Sequence, residues 1–234
     1  LTATALQNGG PVPGTKAATV STTAAVCGYK RFTGTLTSFP YACVAANGFS
    51  TFAGSVSVLD SQIYTTLPFE VSLFSSPAST SATISTHGWM AIGGQDSSAR
   101  FNNVCPLPAG GLLGFAYVFA YWDDSYTGPA GICYATLGTK PNRQYVVTWD
   151  ASFLYITASS AIAADTRLTY SIILYEASKN VDVAYGTFTN VVGTSASIGI
   201  QNSAANQAVT QICNPTSPVS LSNTLTRYVW STLP

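Results

Sequence analysis

From Tyr64 to Asn202 the chain is a succession of short β-prone runs separated by Gly, Pro, Asn and Asp, and no segment sustains the 3.6-residue period of a capped helix. Phe69–Phe74 alternates apolar and polar residues, as a half-buried strand does. Ser81–Ile92 reads as two short strands broken at His87-Gly88, and Gly110–Trp122 is so apolar that both faces of its strand are expected to be covered. Gln144–Trp149 and Phe153–Thr157 follow as two further runs. Between 168 and 175, Leu168, Tyr170, Ile172 and Leu174 share one face, while Thr169, Ser171, Ile173 and Tyr175 share the other. Val181–Tyr185 repeats the alternation, so the turn Ala177–Asn180 predicts a hairpin; Ser195–Gln201 and Arg227–Trp230 supply the last strands.

Before Tyr64, the runs Tyr29–Leu36, Ala42–Ala45 and Phe49–Val58 are also β-prone. The pattern predicts an all-β chain, an antiparallel β-sandwich or jelly-roll with an extended N-terminal arm. Residues 1–25, rich in Thr, Ala and Gly, form that arm or an edge strand, and residues 26–234 the sandwich domain, with a sub-boundary near 59–63. Trp89, Trp122, Trp149 and Trp230 are its natural core.

Composition narrows the function. With 47% hydrophobic and 8% charged residues the chain is no disordered polymer. Nine basic residues balance nine acidic ones, so there is neither the basic footprint of a nucleic-acid binder nor an attraction to anionic membranes. No segment reaches the roughly 20 apolar residues of a spanning helix. A chain beginning at Leu1 reads as a mature, processed protein or a fragment, and so little charge repulsion favours self-association. The five cysteines contain no C-x-x-C pair and the single histidine has no cysteine nearby, which argues against zinc and for disulfides in an oxidising compartment. The connectivity is open; local pairing would join Cys27 to Cys43 and Cys105 to Cys133, leaving Cys213 free or linked to another chain.

Candidate chemistry is sparse. Asp123 and Asp124 follow Tyr121-Trp122, and adjacent strand residues point to opposite faces, so they make a poor catalytic pair. At a strand end, with Asp150 or Glu176 brought near, they would suit calcium; otherwise Asp124 caps a turn and Asp123 pairs with Arg143. His87 precedes Gly88 in a turn and reads as a turn residue, and no nucleophile elbow accompanies it. Tyr121, Tyr126, Tyr134 and Tyr155 are candidates for a sugar-stacking surface, against a packing role for most of the tyrosines. Arg143, after Pro141-Asn142, is expected to pair with an acid and close its turn.

Seven pieces in one order form a recognisable phrase: Leu67-Pro68-Phe69, Thr86–Trp89, Tyr121–Asp124, Gly138–Arg143, Val147–Trp149, Leu174–Glu176 and Ser197–Asn202. The phrase resembles the nidogen-like β-sandwich modules of secreted and surface proteins, over residues 64–202. His87 stands where the pattern has asparagine, and the first 60 residues and the tail have no matching piece. The resemblance implies a non-enzymatic extracellular protein for adhesion, binding a matrix component, a glycan or a surface protein. The alternatives are a self-assembling filament or surface-layer subunit joined through its N-terminal arm and, third, a secreted polysaccharide hydrolase.

Overall fold

Both faces of the strand Arg167–Tyr175 are buried, and this explains the layering of the molecule. The structure, a computed structural model, describes residues 28–98, 100–156, 166–189, 195–215 and 220–231, and the backbone of five short strands outside them. In chain order the strands are β1 Thr2–Ala3, β2 Leu6–Gln7, β3 Gly10–Pro11, β4 Ala18–Val20, β5 Gly28–Thr35, β6 Ser50–Thr51, β7 Gln62–Val71, β8 Ser79–Ser85, β9 Trp89–Ile92, β10 Ala116–Trp122, β11 Ser125–Tyr126, β12 Ile132–Leu137, β13 Gln144–Ile156, β14 Ala161–Ile162, β15 Arg167–Tyr175, β16 Val181–Thr189, β17 Ser197–Gln201, β18 Ala208–Cys213 and β19 Thr224–Ser231. One antiparallel sheet runs β1-β4-β5-β19-β16-β15-β13-β12-β6, with β11 and β14 also paired to β13; the other runs β18-β17-β10-β9-β8-β7. The chain is therefore an all-β antiparallel sandwich.

The inner faces share one core. Leu168, Tyr170, Ile172 and Leu174 of β15 meet Ile84, Met90, Val118 and Ile200 of the second sheet. Each fully buried Leu, Ile or Phe side chain there is worth roughly 1.5–3 kcal/mol. Two buried hydrogen bonds cross between the sheets, from Trp149 Nε1 to the Ser85 carbonyl at 2.8 Å and from Tyr185 Oη to the Ala120 carbonyl at 2.8 Å.

Each outer face is also covered. Ile173 and Tyr175 on the back of β15 pack with Tyr41 and Phe49, so the segment 36–49 lies as a strap across the large sheet. Tyr117, Phe119 and Trp122 on the back of β10 pack with Leu107, Ala109 and Leu112, so the segment 95–115 straps the smaller sheet. A disulfide fastens each strap: Cys43 to Cys133 of β12, and Cys105 to Cys213 of β18. Neither local bridge expected from the sequence forms, because the partner of each strap cysteine lies in the sheet the strap crosses, 90 and 108 residues along the chain. Cys213 is thus paired within the chain, and Cys27 lies outside the described residues.

Other expectations need adjustment. Residues 144–156 form one strand, kept continuous by a register shift between Trp149 and Ser152 with Ala151 at φ 53°. Ala42–Ala45 is not a strand; a 3-10 turn occupies Ala45–Asn47. Trp89, Trp122 and Trp149 are fully buried, whereas Trp230 packs only at the margin of the core. Most of residues 1–25 lie outside the described residues; within them, Ala18–Val20 pairs with β5 through Thr19 opposite Thr33 and Val20 opposite Phe32.

Candidate functional site

The turn Thr86–Gly88 between β8 and β9 is held by its neighbours on both sides. Thr86 N–H donates to the Ser61 carbonyl at 3.0 Å, Ser125 Oγ to the Thr86 carbonyl at 2.9 Å, and His87 N–H to Ser85 Oγ at 3.1 Å. Gly88 supplies the positive φ of 76°, a role expected of His87. Its carbonyl accepts from both Ala120 N–H, at 3.0 Å, and Tyr121 N–H, at 3.2 Å. Two residues opposing one is a β-bulge, which breaks the alternation of β10. Ala120 and Tyr121 consequently both enter the inner core, and Trp122 turns to the outer face.

This corrects the reading of Tyr121 as a surface residue: it is 3% exposed and packs against Tyr170 and Phe188. The other candidate tyrosines form no single platform. Tyr126 lies near Phe153 and donates its hydroxyl to the Ser57 carbonyl at 2.7 Å. Tyr134 stacks on Phe52 at 4.2 Å on β12, and Tyr155 pairs with Ile162 near the end of β13.

His87 is fully buried between two aspartates. Its Nδ1 accepts the Ser125 backbone N–H at 3.2 Å, which leaves the ring proton on Nε2 to be donated to Asp60 Oδ1 at 2.9 Å. Burial pushes the imidazole pKa down, against the pull of the Asp60 charge, and the ring is neutral. Asp124 Oδ1 lies 3.7 Å from Nδ1, too far for a hydrogen bond. Burial, then the Asp60 and Asp123 charges, raise its carboxyl to about 6. Asp123 and Asp124 lie in the bend between β10 and β11 and take different partners. Asp123 accepts from Ser195 Oγ at 2.7 Å and from Asp124 N–H at 2.9 Å, and burial raises its pKa despite both bonds. Arg143 pairs instead with Glu176, through Nε at 2.9 Å and Nη2 at 2.7 Å, and closes the turn before β13 as expected.

Asp60, His87 and Asp124 offer donor atoms within 4.8 Å of one another, a set that suits a zinc-like ion in composition. A ligating Nε2 requires its proton on Nδ1, where the Ser125 N–H already points. The tautomer therefore favours a hydrogen-bonded corner over a metal centre. Of the two aspartates considered for calcium, only Asp124 faces this corner. Asp60, which completes it, carries no motif in the sequence; folding alone brings it to His87.

The corner adjoins the second strap. The Phe101 ring lies 6.2 Å from the His87 ring and, with Arg100, Val104, Ala109, Leu112 and Trp122, lines a cleft of 220 Å³. Phe101, Val104 and the nearby Leu113 are 38%, 46% and 61% exposed. The strap beneath is rigidly held: Trp89 and Trp122 both donate their indole N–H to the Arg100 carbonyl, at 3.3 and 2.6 Å. Asp96, 3% exposed, accepts from Ser98, Tyr117 and Arg100. Burial alone would raise its pKa, but these bonds outweigh it and hold the carboxyl below its usual range.

No curated protein and no solved structure matches the chain. A family model described as NIDO related matches residues 31–234, beyond the 64–202 phrase at both ends and across both straps. With two disulfides, that match marks an extracellular module: the chain belongs to the NIDO-related family.

Proposed function

We propose that this protein is a non-enzymatic adhesion module that holds a matrix or cell-surface ligand against its second strap. The observation that carries the reading is the cleft beside Phe101, where exposed apolar side chains sit on a segment fastened by a disulfide, a buried aspartate and two indoles. Isolated apolar residues on a surface are ordinary; a preformed concave group of them fits a binding role. The histidine supports the non-enzymatic part, because its two ring nitrogens are taken by Asp60 and the Ser125 backbone and no hydroxyl or thiol nucleophile bonds to its ring among the described residues.

The test is retention of the purified chain on immobilised matrix proteins and polysaccharides, compared with a Phe101→Ser/Leu113→Ser variant. Retention of the wild type on one of these surfaces, lost in the variant, is expected. Equal retention of both, no retention at all, or release of sugar from a polysaccharide would overturn the reading.

The pairing of Ala18–Val20 with β5 favours a second reading, self-assembly: a strand that adds to its own sheet edge can add to the same edge of another copy. Deleting residues 1–25 should then abolish filaments seen by negative-stain electron microscopy and leave the domain folded. Filaments formed by the truncated chain would rule this out.

A further inference from the structure

At the mouth of the sandwich, where β5 and β19 of the large sheet face β18 of the smaller one, the inner surface changes from apolar to polar. Tyr29 and Tyr228 still belong to the core. Two and four register steps on from Tyr228, Thr226 stands opposite Thr33 and Thr224 opposite Thr35. The Arg31 guanidinium bridges the sheets there, donating from Nη1 to the Thr210 carbonyl at 3.4 Å. These threonines, with Gln211 and Leu221, enclose a cleft of about 310 Å³.

We propose that this cleft binds an uncharged sugar ring. Three features carry the assignment. Thr226 is 1% exposed, yet its hydroxyl has no hydrogen-bond partner among the described residues although it lines the cleft. A buried polar group without a partner costs roughly 1–3 kcal/mol, so one inside a cleft marks where a ligand oxygen is accommodated. Around it are neutral groups with hydrogen-bonding capacity to spare. The Gln211 amide N–H2 and the Thr33 and Thr35 hydroxyls bond to no other described residue, whereas Thr224 already donates to the Leu221 carbonyl at 2.7 Å. Among the described residues no charged side chain lines the cleft, and Leu221, 5% exposed, offers an apolar wall. Hydroxyl and amide groups facing one aliphatic surface match the two sides of a neutral sugar ring, while the nearby Arg31 guanidinium is engaged by the Thr210 carbonyl. The volume lies at the lower end of the roughly 300–1,000 Å³ of small-molecule sites and far exceeds the roughly 30 Å³ of a single water.

This inference is independent of the cleft beside Phe101. The experiment is a titration of the isotope-labelled protein with methyl glycosides of glucose, galactose, mannose and N-acetylglucosamine, followed through backbone amide shifts. Saturable shifts at Gly34, Gln211 and Thr226 are expected for at least one of the four. Thr226→Val, which keeps the shape, and Gln211→Ala should each weaken that binding about tenfold, the effect of one lost hydrogen bond. The Phe101→Ser/Leu113→Ser variant should respond as the wild type does, which separates failure of this site from failure of the strap. No saturable shift with any of the four sugars, or shifts unchanged in both cleft variants, would overturn the proposal.

Discussion

At the scale of the residue, Gly88 does what no other side chain permits. A Cβ there would lie 2.1 Å from the Tyr121 carbonyl oxygen and 2.7 Å from the Tyr170 hydroxyl, at a φ of 76°. The obstacle is backbone, so it cannot yield without unmaking the bulge. Gly88→Ala is expected to lower unfolding free energy by about 3 kcal/mol or more, measured by urea denaturation. The same bulge hides Tyr121 from sequence reading: unbroken alternation would set it beside Tyr117 and Phe119, and one extra residue opposite Gly88 turns it inward. Asp124 permits a sign-defined pH test. Its carboxyl is raised from the ordinary 3.8 to about 6, so its ionisation disfavours the fold above that pH and ceases to matter below 4. Asp124→Asn should therefore melt higher than wild type at pH 7.5, with the gap closing as pH falls through 6 towards 4. His87, whose depressed pKa works the opposite way, is present in both proteins. A constant or widening gap in thermal melts would show that Asp124 is not held as described.

At the scale of the element, strands with strict alternation or wholly apolar composition are legible. The β15–β16 hairpin and the pair β8 and β9 fall where the pattern puts them, whereas of the apolar run Gly110–Trp122 only Ala116–Trp122 is strand, its first residues belonging to the strap. β12 and β18 are not legible: Thr136 in one, and Thr210 and Gln211 in the other, give neither alternation nor an apolar run, although each strand pairs with its neighbour in the chain, β12 with β13 and β18 with β17. The straps are harder still, since loops rich in Gly, Pro and Ala show no sign of the sheet they cover. Their fastening is testable. The Cys105–Cys213 bridge closes a loop of 108 residues, and removing it by a double alanine substitution should cost about 4 kcal/mol in urea unfolding, chiefly by freeing the unfolded chain. Hydrogen exchange in 95–115 should accelerate more than in β15. Uniform acceleration would mean that the strap depends on the bridge no more than the core does.

At the scale of the molecule, the two outer faces of the sandwich are each crossed by a strap, each strap is tied to its sheet by a disulfide, and the second strap bears the apolar cleft. The sandwich could be read from the sequence because alternation encodes sheets locally. The straps could not, because cysteine pairing depends on the assembled sheets and not on spacing along the chain. The corner around His87 was half legible: His87 and Asp124 lie in the recognisable phrase, and Asp60 does not. The most direct measurement is mass-spectrometric mapping of disulfide-linked peptides from the unreduced protein. Peptides joining Cys43 to Cys133 and Cys105 to Cys213 are predicted. Peptides joining Cys27 to Cys43, or Cys105 to Cys133, would contradict the strapped sandwich and, with it, the rigid surface assigned to binding.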